Sequence, residues 1–579
     1  MGESTRPLPP LIPLSNGGWE VNSFLSSAEY TIRGMGLVPP NHIVPVIVVP
    51  GIMGTNLRAR RTPRLGRVAD ERNQAVKPGE AVWRPPNGTR EGLYASYAWG
   101  AMDPSFRQKL LDLATLEVDD AGPIVLPLSD DGYVLSEQDV RERGWGEVHA
   151  DSYGPLLYAL QKRLNQTFEF DEARKKPSVR QHWKDVMACD PKRWGVREFA
   201  PLTETDLKAH AKHYFPVYSV GYCWLDDCEV SSRLLERRVL DIIGAWRKVN
   251  RRCEKVILVT HSMGGLVARA CAKRIPNQIA GVIHGVMPAL GAPVAYRRLA
   301  CGTETRSPSN NPGENIEASK LAQILGETPQ KTMPVLAISP GALEMLPNHL
   351  YPQPWLHVRV MKSVGIARSA GYGVRDDLVR QTETPVDYLH LPNARAPNPY
   401  DLYRDFKSWF RVIDPALADP SDKFRAVPGG IEKAIRSAIE RAETFHRELG
   451  SYYHPNTYAF YGDAQNKLSY GQVRWVAPQG TGAAGALTPG NIAGSRFLGY
   501  TKGGHRRILV EEKVELHFSA DIQDARGDGT VPYQSGGGPA GMVKQLFATQ
   551  GYEHQESYKD EDILMLTLRL IVKIVQEIS

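Results

Sequence analysis

The sequence contains little cysteine and has no apolar run near the roughly 20 residues that a membrane-spanning helix needs. Its six cysteines among 579 residues lack the spacing of a zinc site, so we expect reduced thiols. Cys223 and Cys228 could pair in an oxidising compartment. Residues 1–16 lack the basic and then apolar pattern of a secretory signal, so we expect synthesis in the cytoplasm without one.

Neither sign of charge dominates, because 70 basic residues face 64 acidic ones and the formal net charge is +6. Basic residues do cluster, at Arg58, Arg60, Arg61, Arg64 and Arg67 and again at Arg174, Lys175 and Lys176. Such clusters are typical of a solvated surface, and alternatively they attract anionic lipid head groups. No nucleic-acid-binding motif accompanies them, so we expect no nucleic-acid partner.

The length allows either three or four average domains or one hydrolase-sized domain with large insertions. The candidate catalytic residues lie in the middle of the chain and near its C-terminus, which favours one elaborated domain. The predicted parts are a flexible Pro-rich arm at 1–20, a core at 40–60, 210–295 and 455–579, an insertion at 61–209, and a cap or lid insertion at 296–450.

One strand-turn-helix segment carries the most informative pattern. Residues 256–259 form an apolar run long enough for a buried strand, and residues 264–272 favour a helix. Ser262 lies on the turn between them, which is the arrangement of a nucleophile elbow that lifts the serine hydroxyl clear of a sheet. Small residues flank such a serine because strand and helix pass closely. Gly264 meets this need, and Thr260 replaces the usual first glycine.

Strands and helices alternate along much of the chain. Apolar runs at 43–49, 279–287 and 457–461 are typical of buried strands, and 231–252 is typical of an amphipathic helix. This alternation predicts the α/β class, with a mostly parallel sheet and helices on both of its faces, as in the α/β-hydrolase fold. A further amphipathic helix at 430–449 either packs on the domain or serves as a lid or membrane-touching element.

A serine nucleophile needs a base that takes its proton and an acid that orients the base, and in this fold both follow the serine, acid first. For the acid we choose Asp528, which lies between two glycines beyond a predicted strand. Asp463, also after a strand, is its rival, and Asp521 and Asp524 are weaker candidates. The late aspartates lack the spacing of a calcium loop, and we expect no metal and no cofactor.

For the base we choose His554, which lies on a loop between the last predicted strand and the last predicted helix. His505 is a rival on another loop, but it precedes the chosen acid and so breaks the expected order. His284 and His517 lie in predicted strands, where a structural role is favoured. His261 adjoins the nucleophile, and we expect it to help shape the pocket.

An oxyanion hole needs two backbone N–H groups directed at the position where negative charge develops. Met263, the residue after the nucleophile, is expected to supply one of them. The other comes from the loop after the early strand, where Pro50-Gly51-Ile52 offers a tight turn. There we choose the amide of Ile52.

Several segments together resemble known hydrolases. The loop at 49–55, the elbow at 260–265 and the Gly-Asp-Gly-Thr-Val segment at 527–531 resemble lecithin–cholesterol acyltransferase and the lysosomal phospholipases. The elbow and its preceding helix also resemble GPI inositol-deacylases. Segments 221–225 and 553–559 are similar to the lipase effectors of bacterial type VI secretion systems. The resemblance covers the predicted core and neither insertion.

The resemblance implies that Ser262, His554 and Asp528 are nucleophile, base and acid, with Ile52 and Met263 as the oxyanion donors. It also implies an acyl ester of a membrane phospholipid as substrate. An effector would be delivered to the periplasm of a target cell, and the producing cell would need a cognate immunity protein. Two alternatives stay open: an acyltransferase in which an alcohol replaces water, and a non-catalytic lipid-binding module.

Overall fold

The computed structural model describes residues 40–61, 76–127, 135–171, 176–365, 381–478 and 487–578, together with short strands at 12–13 and 19–20. Most of the predicted Pro-rich arm and the basic residues Arg64, Arg67, Arg174 and Lys175 lie outside these ranges. Arg58 is buried and pairs with Glu117 and Asp120, so it belongs to the interior and not to a basic surface. All six cysteines are free thiols. Each helix in the described ranges is too short or too polar to span a lipid bilayer.

Strands and helices alternate through the described residues. The strands are β1 (Ile12–Pro13), β2 (Trp19–Glu20), β3 (His42–Ile43), β4 (Val46–Val49), β5 (Leu57–Ala59), β6 (Ala81–Trp83), β7 (Leu116–Val118), β8 (Phe168–Asp171), β9 (Lys176–Val179), β10 (His213–Tyr214), β11 (Val217–Ser219), β12 (Arg252–Cys253), β13 (Val256–His261), β14 (Ile279–Gly285), β15 (Leu356–Gly365), β16 (Gln381–Leu391), β17 (Thr457–Gly462), β18 (Ala464–Ser469), β19 (Val473–Pro478), β20 (Arg496–Tyr500), β21 (Arg506–Val510), β22 (Val514–Ala520), β23 (Ala525–Gly527) and β24 (Gln545–Thr549). The helices are α1 (Gly88–Ala101), α2 (Pro104–Leu110), α3 (Glu137–Glu142), α4 (Ala150–Asn165), α5 (Gln181–Ala188), α6 (Glu204–His210), α7 (Cys228–Lys248), α8 (Gly264–Arg274), α9 (Pro293–Cys301), α10 (Pro312–Leu325), α11 (Pro329–Leu336), α12 (Pro340–Leu343), α13 (Pro399–Tyr403), α14 (Pro415–Ala418), α15 (Gly430–Leu449), α16 (Pro489–Ala493), α17 (Tyr533–Gly536) and α18 (Glu561–Gln576).

Six strands form one parallel sheet in the order β11–β4–β13–β14–β17–β24. Every residue of β4, β13 and β14 is buried. Continuous apolar strands of this kind are expected where helices cover both faces of a parallel sheet. The predicted α/β class with a mostly parallel sheet is therefore confirmed.

Alternate residues of the central strands belong to two different hydrophobic cores, one on each face of the sheet, because side chains along a strand point to opposite faces. Ile47 and Leu258 pack with α7 and α8 on one face. Val48 and Val259 pack with α4 and α18 on the other. Since α4 belongs to the predicted insertion at 61–209, that insertion covers part of the central sheet. The predicted helix at 231–252 corresponds to α7, which begins earlier because the Asp227 side chain accepts a hydrogen bond from its first turn.

A second six-stranded sheet, in the order β16–β15–β19–β22–β21–β20, packs in a third core. Its strand pairs are antiparallel apart from β15 with β19. Helix α15 has the predicted bounds, and Ile435, Ala438 and Ile439 on its apolar face are buried in this third core. Packing on the domain, the first of the two roles considered for this helix, is therefore confirmed.

The second sheet joins strands from both sides of a predicted domain boundary. Strands β15 and β16 lie in the predicted cap at 296–450, whereas β19 to β22 lie in the segment at 455–579 that was assigned to the core. The chain leaves the central sheet after β17 and returns to it at β24. The boundaries of core, insertion and cap therefore stay a prediction, since β19 to β22 share a sheet with the two strands of the predicted cap.

Candidate active site

Ser262 lies on the sharp turn between β13 and α8. Its φ of 52° is in the left-handed region, and its N–H donates to the last carbonyl of β14 at 2.9 Å. A Cβ on Gly264 would lie 2.4 Å from the carbonyl oxygen of Pro50, so glycine is required where the elbow meets the loop after β4. Thr260 fits in place of the usual first glycine, and its buried hydroxyl is hydrogen-bonded with His284 Nδ1 at 2.9 Å.

A chain of hydrogen bonds joins the residues predicted as nucleophile, base and acid. Ser262 Oγ lies 2.9 Å from His554 Nε2, and His554 Nδ1 lies 2.8 Å from Asp528 Oδ2. An ionised carboxylate only accepts hydrogen bonds, so Nδ1 carries the ring proton and Nε2 accepts from the serine hydroxyl. The ring is thus in the tautomer that can take a proton from Ser262.

The backbone around Asp528 fixes its carboxylate. Asp528 follows β23 directly, and its Oδ1 accepts the amides of Thr530 at 3.1 Å and Val531 at 2.7 Å. The amide of His554 donates to the Asp528 carbonyl at 2.8 Å, so the two loops are joined through backbone as well as side chain. Asp528 is 1% exposed. Its charge would therefore act on an adjacent imidazolium with little screening by water.

The rival acids and bases contact other residues. Asp463 pairs with Arg526 at 3.2 Å, and His505 is exposed on its loop. The remaining rivals pair as follows: Asp521 and Asp524 with Arg474, His517 with Glu515, and His284 with Thr260. The structure therefore brings Ser262 together with the chosen acid and base.

The loop after β4 lies directly against Ser262, since a Cβ on Gly51 would be 2.9 Å from Ser262 Cβ. The Gly51 amide donates to the hydroxyl of Tyr153 at 2.9 Å. The amides of Ile52 and Met263 donate to no other residue of the described ranges. An oxyanion hole requires two such unengaged N–H groups, one following the nucleophile and one in the loop against it.

Tyr153 and His261 connect this loop to the loop of His554. The Tyr153 hydroxyl accepts from Gly51 and lies 2.9 Å from His261 Nδ1, while His261 Nε2 lies 3.0 Å from the carbonyl oxygen of His554. Because that carbonyl only accepts, Nε2 carries the proton and Nδ1 accepts from the tyrosine. Burial lowers the pKa of His261 to about 3, so the ring is neutral, as this pattern requires.

The sequence indicated only one of these two connecting residues, His261. His261 adjoins Ser262, and its position in the sequence predicts that it helps to shape the pocket. Tyr153 lies on α4, in the insertion at 61–209, and no motif marks it. Its one signal is its place on the buried face of an amphipathic helix, which many structural residues share.

We expect Tyr153→Phe to lower kcat about 10- to 100-fold while KM changes little, because small misplacements of catalytic groups are costly. The variant keeps the ring but removes the partner of the Gly51 amide and of His261 Nδ1, so the two loops lose their fixed spacing. Steady-state hydrolysis of a soluble ester measures the effect. Tyr158→Phe, on the same helix, is the matched control and should retain full activity. An unchanged kcat in Tyr153→Phe would contradict this positioning role.

Ser262 and His554 are largely shielded from solvent, since Ser262 is 4% exposed and the His554 side chain is 12% exposed. Helix α1 contacts the loop after β4 through two tryptophans. The rings of Trp99 on α1 and Trp83 are 5.4 Å apart in an edge-to-face arrangement, and Trp83 Nε1 donates to the Met53 carbonyl at 2.9 Å.

Helix α10 packs against α1 and approaches the loop that carries His554. Glu314, in its first turn, lies 3.2 Å from Lys467 Nζ. The same ammonium lies 2.6 Å from Glu553, the residue before His554. Helix α1 is therefore connected to the loop after β4, and α10 is connected to the loop that carries His554.

In the part of the chain that the structure describes, one group of metal-ligating side chains has closely spaced ligand atoms: His357, Asp387 and His390. It lies on β15 and β16 of the second sheet and shares no residue with the chain at Ser262. The side chains around Ser262 are instead arranged for proton transfer.

Two comparisons with known proteins found a match, and a comparison with curated proteins found none. The PGAP1-like alpha/beta domain family matches residues 229–315, which include Ser262. A chain in the crystal structure of the Tle4–Tli4 complex is similar over 92% of this protein and 98% of that chain, with 28% identity and a TM-score of 0.69. The protein therefore has the α/β-hydrolase fold that its sequence predicted, and it is similar to the PGAP1-like alpha/beta domain family around its elbow and to a chain of the Tle4–Tli4 complex over most of its length.

Proposed function

We propose that the protein is a serine esterase of the phospholipase A type, which hydrolyses acyl esters of membrane phospholipids. The observation that carries the proposal is the hydrogen-bonded chain from Ser262 through His554 to Asp528 at a nucleophile elbow. A hydroxyl beside a neutral imidazole, itself oriented by a buried carboxylate, is suited to acyl transfer. The similarity to a PGAP1-like domain and to the Tle4–Tli4 structure supports the hydrolase class.

In the proposed mechanism Ser262 Oγ attacks the ester carbonyl carbon while His554 Nε2 takes the hydroxyl proton. The amides of Ile52 and Met263 bind the oxyanion of the tetrahedral intermediate. The intermediate collapses as His554 gives its proton to the leaving oxygen, which releases the lysophospholipid. Water, deprotonated by His554, then attacks the acyl-enzyme and releases the fatty acid, and the proton returns to Ser262.

We propose that α10, in the predicted cap insertion, and α1, in the predicted first insertion, together form a lid over Ser262. The helices α1 and α10 carry large apolar side chains that are 45–72% exposed: Leu93, Tyr94 and Tyr97 on α1, and Ile316 and Leu321 on α10. Exposed apolar side chains on adjoining helices are typical of a surface that meets lipid. We propose that contact with a membrane moves these helices and admits an acyl chain to Ser262.

We expect the double variant Tyr94→Ser with Tyr97→Ser to hydrolyse phospholipid vesicles at least about tenfold more slowly, because two apolar contacts with the membrane are lost. The rate on a soluble short-chain ester should not change. Leu240→Ser is the matched control, since Leu240 is 45% exposed on α7, which is not one of the two lid helices. Equal losses on both substrates, or none on vesicles, would contradict a lipid-contacting lid.

The proposed activity is tested by mass spectrometry of products from mixed phospholipid vesicles, comparing wild type with Ser262→Ala. Fatty acid and lysophospholipid formed only by the wild type would support a serine phospholipase A, and the lyso-isomer would give the acyl position. Acylation of an added alcohol in place of water would assign an acyltransferase. No product from either folded protein would count against a phospholipid substrate and favour the lipid-binding alternative.

We further propose that the enzyme is a type VI secretion effector that acts in the periplasm of a target cell and is blocked by a cognate immunity protein. The support is the similarity to a chain of the Tle4–Tli4 complex, which is an assembly of two proteins. Directed to the periplasm of a test bacterium, the wild type should lower viability, and Ser262→Ala should not. Equal survival with both proteins would count against this role.

A further inference from the structure

A group of metal-ligating side chains lies at the edge of the second sheet. In the antiparallel pair β15–β16, His357 lies opposite His390, and Arg359 lies opposite Asp387. The register shifts between these two pairs, so Tyr388 is an extra residue in a bulge. Without the bulge, Asp387 and His390 would point to opposite faces, and with it Asp387 joins both histidines on one face.

The candidate ligand atoms of this group are nearly as close to one another as two ligands of the same metal ion would be. His357 Nδ1 and His390 Nδ1 are 3.0 Å apart. One ligand atom from each of the two histidines and Asp387 lies within 4.8 Å of the others. Two ligands of a tetrahedral zinc ion, at bond lengths of about 2.0–2.1 Å, are roughly 3.3 Å apart. Side-chain rotations alone would therefore bring the three ligands onto one ion.

The environment of His357, Asp387 and His390 is compatible with metal binding. His357 is 5% exposed, and its Nε2 has no hydrogen-bond partner in the described ranges. Asp387 and His390 are exposed, which gives an ion access from solvent. Arg359 pairs with Asp387 and orients its carboxylate, as outer partners of metal ligands do.

We propose that His357, Asp387 and His390 bind one divalent transition-metal ion, for which zinc is the best fit. Two imidazoles and a carboxylate are a ligand set that suits zinc and also accepts cobalt or nickel. Three protein ligands leave the fourth tetrahedral position to water. The ion would join β16, the edge strand of the second sheet, to β15 and hold the bulge in place.

The test is zinc binding by the full chain after treatment with a chelator, measured by equilibrium dialysis and elemental analysis. We expect wild type to bind about one Zn²⁺ per chain and His390→Asn to bind at least about tenfold more weakly. Co²⁺ bound by wild type should show the visible absorption of a tetrahedral ion, and His390→Asn should not. Because His390 is exposed, this variant should fold, and far-UV circular dichroism checks that it does.

His517→Asn is the matched control, because His517 is an exposed histidine on β22 of the same sheet. It should bind zinc as wild type does. Equal binding by wild type and His390→Asn, or no zinc bound by wild type, would overturn the proposal. Neither readout depends on hydrolysis, so failure of the phospholipase proposal would leave this test intact.

Discussion

Replacing Ser262 with alanine is expected to lower ester hydrolysis by roughly 10⁴- to 10⁶-fold. The variant has no oxygen to form the acyl-enzyme, so only substrate binding and the oxyanion donors remain to promote attack by water. The Ser262 hydroxyl contacts His554 and makes no other hydrogen bond within the described residues. We therefore expect the free energy of unfolding to change by less than about 1 kcal/mol.

Initial rates on a soluble ester and thermal unfolding measure the two quantities for Ser262→Ala. Loss of activity with an unchanged unfolding midpoint is the expected pair of results. Substantial hydrolysis by a folded Ser262→Ala protein would contradict the assignment of the nucleophile. Loss of activity together with unfolding would identify a structural role for the side chain and would not support catalysis.

Replacing Asp528 with asparagine is expected to lower kcat by about 10⁴-fold with KM nearly unchanged. Oδ1 accepts the amides of Thr530 and Val531, and the one oxygen of an asparagine would keep these bonds. Its amino group would then face His554 Nδ1 and donate to it. The ring would be forced to carry its proton on Nε2, where it cannot take the proton of Ser262.

Asp463→Asn is the matched control for the acid, because Asp463 also follows a strand of the central sheet and was its rival in sequence. Asp463 pairs with Arg526 and not with a histidine, so we expect kcat to stay within about threefold of wild type. A large loss of kcat in Asp463→Asn with little loss in Asp528→Asn would contradict the assignment of the acid.

The central sheet and the three hydrogen-bonded catalytic candidates could be predicted because their signals are local. The elbow needs a serine between an apolar run and a helix, with glycine where the backbones meet, and a short segment contains all of this. The order of acid and base follows from chain connectivity in the fold. The bounds of α15 could be predicted because its apolar residues recur along one face and glycines flank it.

Features that depend on distant pairing could not be predicted. The second sheet brings strands of the predicted cap together with β19 to β22, and no local pattern specifies such partners. Tyr153 gains its position only when α4 packs on the central sheet. The proposed metal ligands His357, Asp387 and His390 share no motif spacing, because strand pairing and a bulge bring them together. The sequence therefore led us to expect no metal.

The central claim is that Ser262 is a nucleophile activated by His554 and Asp528, and labelling with a fluorophosphonate tests it most directly. Peptide mass spectrometry should locate one phosphonyl adduct on the peptide that contains Ser262, and labelling should be far slower in Asp528→Asn. An adduct on a different serine, or no adduct on the folded wild-type protein, would contradict the claim.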